Sequence, residues 1–311
     1  MLTFLGRRLL FTTLTFFAVV TLVFFLVRAA PGGPFDGERR LPPEIEQNLK
    51  AAYDLDAPVA VQYARFLARL VRGDLGPSFK QKDFTVNELI AAGLPLSATL
   101  GASALVFALL FGTGIGVLAG LQPGSRLDGT LMAMSNVTLA VPTIVTAPLL
   151  VLAFSVALAW FPAGGAGGWR HLLLPAIALG LPFAAEMARL MRGGIAEVRN
   201  DPHVITARAK GLSTPRIVAR HMLPIAAVPC IAYLAPASAA LLTGSVVVEQ
   251  VFDLPGIGRY FVDAALSRDY TLVMGVTIVY AFAILLLNLA ADLACGALDP
   301  RIRAAQLPVP D

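Results

Sequence analysis

The sequence predicts an all-α membrane protein with six transmembrane helices and a small helical insertion outside the bilayer. Three observations carry that reading. Hydrophobic residues make up 57% and charged residues only 14% of 311 positions, too apolar for an ordinary soluble chain and too long for a single anchor. The apolar residues gather into six stretches, most near the length of about 20 that crosses a hydrocarbon core of about 30 Å. Between the first and second stretches, positions 31–93 hold eight Lys/Arg and nine Asp/Glu. That balance excludes a nucleic-acid-binding tail.

In order, residues 1–27 place Arg7 and Arg8 ahead of about 20 mostly apolar residues, more than a cleavable leader uses, so the segment is expected to stay as the first span. In the insertion, Pro42-Pro43 with Glu44 and Glu46 reads as a helix start. Asp56-Ala57-Pro58 opens a second run, in which Val59, Tyr63, Phe66, Leu67 and Leu70 share one face until Gly73. Thr85-Val86-Asn87-Glu88 has the form of a capping box, with Gly93 as the stop. The insertion is either a passive spacer or a docking surface.

The second span, 96–121, carries Gly112, Gly116 and Gly120, a four-residue recurrence that makes a ridge for close helix packing. Part of it imitates a dinucleotide loop, but no strand precedes it and the spacing is wrong. The third span, 131–161, contains Asn136, Pro142 and Pro148. The prolines either free backbone groups toward a water-filled pathway or kink the helix for packing alone. Trp160 and Trp169 bracket a glycine-rich loop, as interfacial aromatics do. The fourth span, 172–185, is short and holds Pro175 and Pro182; Glu186 and Arg189, three apart, are spaced to pair beyond it. The fifth covers 225–248 with Pro229 and Pro236, the sixth 272–291, and LDPRIR follows. Asn136, Pro142 and Glu249 are the candidate pathway residues. Asp292, four residues after Asn288, reads as a packing or interfacial group.

Between the fourth and fifth spans, RNDPHVITARAKGLSTPRIVARHMLP (199–224) is polar, basic and densely punctuated. Asp201 can cap a helix with Pro202 at its first position, Gly211 can end it, and Ser213-Thr214-Pro215 can start another. With six spans, both termini fall on the side of this stretch. That side carries twelve Lys/Arg against three in the short loops opposite, which places it inside and the long insertion outside.

No G-x-x-x-x-G-K-[ST] loop is present to cradle nucleotide phosphates, and no G-x-S-x-G. His171, His203 and His221 are scattered without HExxH spacing or a cysteine partner, so no metal site is expected. Cys230 and Cys295 read as small core residues. The spans hold too few acids for a proton relay. They offer a path without an energy source, and the basic bend is where work from another chain could enter.

At this bend the sequence resembles the cytoplasmic loop of membrane subunits of bacterial binding-protein-dependent ABC importers, whose consensus is E-A-A-x3-G-x9-I-x-L-P. Gly211 takes the glycine and His221-Met222-Leu223-Pro224 fall on I-x-L-P. Ile205, Thr206 and Ala207 fall on E-A-A, with only the last alanine matching; TARAKGL is the wording of the peptide-importer branch. The likeness extends along nearly the whole chain and is nearest to the B-type membrane subunits of oligopeptide importers. Its marks are RAAPGGPFDGERRLPPEIE, GDLGPSFKQKDFTVNELI, GSVVVEQVFDLPGIGRYFVDAALSRDY and LDPRIR.

The resemblance implies a non-catalytic subunit of the bacterial inner membrane, with both termini cytoplasmic and the insertion periplasmic. Its divisions would be 1–28 (tail and first helix), 29–94 (insertion), 95–293 (core, with a coupling loop at 186–224) and 294–311 (tail). It implies a second, dissimilar permease subunit, two ATP-binding subunits that hold the ATP and Mg, and a periplasmic peptide-binding protein. Pro202, His203, Val204, Ile205, Thr206, Ala207, Arg208, Ala209, Lys210 and Gly211 would form the helix seated in an ATPase groove. Dipeptide or nickel uptake stays open beside oligopeptide uptake. From other classes, an ATPase-independent channel or secondary transporter stays open, as does a membrane-tethered DNA-binding regulator built on the helix-turn-helix look of the bend.

Overall fold

A computed structural model describes residues 2–29, 57–81 and 83–298. The expected helix start at Pro42-Pro43, the Asp56 cap and the end of LDPRIR lie outside these residues. Among the described residues the structure is helical, with one isolated bridge between Pro77 and Thr85.

The first span is α1 (Leu2–Ala29). In the insertion, α2 (Val59–Val71) lies against the membrane helices: Phe66 stacks on Phe24 of α1 at 5.3 Å, and the Tyr63 hydroxyl meets Thr21 Oγ1 at 2.6 Å. Tyr63, Leu67 and Leu70 join the same apolar cluster, whereas Val59, expected on that face, is exposed.

The capping box forms as predicted, with Thr85 N donating to Glu88 Oε2 (2.8 Å) and Glu88 N to Thr85 Oγ1 (3.2 Å). The helix it opens does not stop at Gly93; α3 runs without a break over Val86–Leu121, through Pro95. A methyl group on Gly93 would sit 2.9 Å from Ile257 N and from a Tyr260 ring carbon. That glycine therefore serves close approach of another helix.

The third span is broken. Here α4 (Arg126–Ala140) and α5 (Thr143–Ala157) meet at 105°. Val141, extended because a proline follows it, turns the chain, and Pro142 opens α5. Pro148 lies inside α5 and does not end it. The fourth helix is longer than expected: α6 (Trp169–Val198) continues through Glu186, Arg189 and Arg192, about 45 Å in all. Its charges do not end it because they pair or stay at the surface, Glu186 with Arg189 at 3.4 Å and Arg192 with Asp128 at 2.7 Å. Then come α7 (Pro202–Ala209), α8 (Thr214–Ala226), α9 (Val228–Val251), α10 (Ile257–Ser267) and α11 (Tyr270–Leu298).

The glycine ridge sets the centre of the bundle. A methyl group on Gly112 would lie 2.5 Å from the Ala184 carbonyl oxygen, one on Gly116 2.5 Å from that of Ala188, and one on Gly120 2.7 Å from Ile195 Cβ. Small residues bring the two backbones together, as membrane helices need where no water drives association. Residue numbers rise together on both sides of the seam, so α3 and α6 run parallel. The chain between them must return to its starting side. It does, from the turn beside Arg192 near the end of α6 to Gly165, whose N–H donates to the Phe252 carbonyl in the cluster around Leu174. The broken α4–α5 pair is thus a crossing.

Helix α9 runs back against α6, with Cys230 clustered near Met187 at one end and Val248 and Phe252 near Leu174 at the other. Helix α1 runs opposite to α11, Phe16 meeting Phe282 while Val20 and Phe24 meet Met274 and Ile278. The result is six crossings, with the α7–α8 bend on the side where α1 begins and α11 ends.

Candidate functional site

The bend is built on a buried base. Asp201 takes the extended cap conformation and Pro202 the first helical position; the Asp201 carboxylate makes no cap bond and lies 3.9 Å from His203 Nδ1. Eight residues give α7 a length of about 12 Å. Its Val204 and Ala207, one turn apart, are buried against Met191, Ile195 and Val198 of α6 and Ile217, Val218 and Met222 of α8. The opposite face presents Pro202, Ile205, Thr206 and Ala209 to solvent, with Ile205 54% exposed. His203, Arg208 and Lys210 are also exposed, and His203 Nε2 reaches the His221 carbonyl at 3.2 Å, tying α7 to α8.

Gly211 closes the helix at φ +76°, where a side chain would be strained. Its N–H donates to the Arg208 carbonyl, and that of Leu212 to Ala207, so Leu212 folds back onto the base. The basic residues Arg208, Lys210, Arg216 and Arg220 ring this apolar ridge at the surface. A short, stiff helix with an apolar crest and a cationic rim is suited to a groove on a soluble partner.

Near the bend, α6 is joined to α4 by an ion pair. Asp128 is buried and accepts from Arg192 Nε at 3.1 Å, Arg192 Nη2 at 2.7 Å and Gly124 N at 2.8 Å. Of the three candidate pathway residues, Asn136 is exposed on α4 and Pro142 is exposed at the break. Glu249 is not with them.

Glu249, at the far end of α9, is fully buried and holds the start of α10, its Oε2 accepting from Gly258 N at 2.8 Å and Arg259 N at 3.2 Å. Ser97 of α3 takes Ile257 N at 3.0 Å. The carboxylate therefore sits at a helix N-terminus, where the backbone N–H groups favour an anion. Gly256 and Gly258 leave room for it: a methyl group on Gly256 would collide with Glu249 and Ser97.

On the same side, Asp269 is buried and gathers the insertion onto α11. It accepts from the Ser78 hydroxyl, from Phe79 N and Lys80 N at 3.2 Å each, and from Leu272 N at 3.1 Å. Sequence reasoning did not single out Asp128, Arg192 or Asp269. Ser125-x-x-Asp128 is a helix-start spacing that could have marked the first; Arg192 and Asp269 have no local signature.

Six crossings, a helix broken in mid-crossing and a cationic bend at one surface fit the membrane subunit of a transporter, a permease. Comparison with known proteins narrows the class. The model of the binding-protein-dependent transport system inner membrane component matches residues 112–304, and that of the N-terminal part of such membrane components matches 1–101. The oligopeptide transport system permease protein OppB of Salmonella typhimurium is 45% identical over 305 residues, 97% of this chain and 100% of that one. The dipeptide transport system permease protein DppB of Bacillus subtilis is 38% identical, covering 93% of this chain and 94% of its own. Among solved structures, an inward-facing conformation of the MetNI methionine ABC transporter matches with a TM-score of 0.55 at 20% identity, over 68% of this chain and 96% of that chain. The chain belongs to the family of binding-protein-dependent ABC importer permeases and is homologous to the oligopeptide permease subunits.

Proposed function

We propose that this chain forms half of the pathway by which an ATP-driven importer carries oligopeptides across the bacterial inner membrane. One observation carries the mechanism: α7 presents a mainly apolar crest, Pro202, Ile205 and Ala209 with Thr206, outward from a buried base continuous with α6. In this reading the crest sits in a groove of an ATP-binding subunit. The work enters at residues 202–211 and passes along α6. Two such subunits bind the ATP and Mg, so this chain is non-catalytic; a second, dissimilar permease completes the pathway. The excess of Lys/Arg on the bend side supports cytoplasmic termini, with α2, α10 and the insertion facing a periplasmic binding protein. Asn136 and Pro142 remain the proposed pathway residues, at a break where irregular backbone needs water or protein around it.

Oligopeptide is preferred as substrate because identity to the oligopeptide permeases, 45%, exceeds the 38% to a dipeptide permease. Ile205→Asp tests the reading. It alters an exposed crest residue without touching the base, so the chain should still insert, while ATP-dependent peptide uptake in proteoliposomes of the whole complex is lost. Uptake at the native rate would overturn the docking role of α7.

A further inference from the structure

We propose that the Asp128–Arg192 pair is the tie through which displacement of the bend moves α4, making both positioning residues for transport; this builds on the proposed role of α7. Helix α4 has two buried side chains, Asp128 and Ser135. The Ser135 hydroxyl donates to Leu131 O of its own helix at 2.9 Å, so the polar link from α4 to another helix is made by Asp128. Asp128 is bound by both Arg192 Nε and Nη2, and its side chain is 4% exposed.

A forked guanidinium–carboxylate contact fixes direction as well as distance, where apolar surfaces can slide. Arg192 lies between Met191 and Ile195, both part of the base under α7 and α8. Anything that shifts that base carries Arg192 with it. At its other end α4 stops at the 105° break before Pro142, one turn beyond Asn136. A pull on Asp128 therefore rotates α4 about the break and re-aims Asn136, while the glycine seam keeps α3 and α6 together.

The test uses the complete transporter in proteoliposomes. In Asp128→Asn and Arg192→Gln the complex should assemble and hydrolyse ATP, while peptide imported per ATP falls about tenfold or more, within the usual range of coupling between sites. Arg192→Lys, which keeps the charge but loses the fork, should fall between. Assembly, hydrolysis and import declining together at a constant ratio would mean a purely structural pair and overturn the proposal.

Spin labels at exposed Met134 on α4 and Leu118 on α3 give a second readout. Their separation should change when ATP is added to the native complex and stay fixed in Asp128→Asn. The same change in the variant as in the native complex would overturn the tie. Label motion without peptide import would instead count against the substrate assignment and leave the tie standing.

Discussion

Two alanine substitutions in one turn of α3 should have unequal effects. Gly114 and Gly116 lie in the same helix, and removing either glycine relieves the same propensity deficit, about 1 kcal/mol. Around Gly114 nothing lies within 4 Å of the added methyl group, so that gain should appear as stabilisation. At Gly116 the methyl group meets the Ala188 carbonyl oxygen at 2.5 Å and Met191 Cβ at 2.6 Å, and Arg192 N lies at 3.0 Å. Since such contacts are not found below 3.0 Å, the seam must open by at least 0.5 Å, against backbone that cannot rotate away.

Overpacking of this kind costs about 1–3 kcal/mol, so Gly116→Ala should be neutral to destabilised by about 2 kcal/mol after the propensity gain. The assay is thermal unfolding of the purified protein in detergent, followed by intrinsic fluorescence. In soluble domains of about 150–250 residues each kcal/mol moves the midpoint by about 2–4 °C, and a longer chain shifts less. Equal shifts of one sign in the two variants would refute the seam.

Three other predictions concern the two ends of the bundle. Gly211→Pro removes the N–H that closes α7 and cannot adopt φ +76°; membrane insertion should be normal while ATP hydrolysis and peptide uptake become uncoupled, read as uptake per ATP. Glu249→Ala leaves the first N–H groups of α10 without their carboxylate and should cost about 1–3 kcal/mol in the same unfolding assay, with Glu249→Gln milder. Asp269→Asn weakens the clamp on Ser78–Lys80 and should make the chain around Lys80 more sensitive to trypsin, with the intact native clamp as reference.

What could be read from sequence depended on whether the signal was local. The Gly112-Gly116-Gly120 recurrence and the Thr85–Glu88 box were legible because each lies within one or two turns of helix. So was the division of the bend at Gly211, whose positive φ no other residue there would tolerate as readily. Gly93 was misread as a stop because its partner, Ile257 of α10, is far along the chain. The fourth helix looked short because Glu186, Arg189 and Arg192 resemble the start of a loop. Only the fold brings Asp128 to Arg192 and lets the helix continue with its charge satisfied. Prolines were equally ambiguous: Pro148, Pro175, Pro182 and Pro236 lie inside helices, whereas Pro142 follows a break. Glu249, read as a pathway residue beside Asn136 and Pro142, is buried, and its oxygen holds the start of α10, a partner set nine and ten residues further along the chain.

The corner at Val141–Pro142 has a consequence for how the protein is made. A helix that stops in mid-crossing leaves its last carbonyls without donors, and hydrocarbon offers none. Around that corner Val137, Ile144 and Val145 are exposed, a surface that lipid could cover but whose neighbouring carbonyls it could not solvate. A newly synthesised copy is therefore incomplete as a solitary bilayer protein. Shielding at that point must come from another chain or from a hydrated cavity, since the lipid around it has no donor to give.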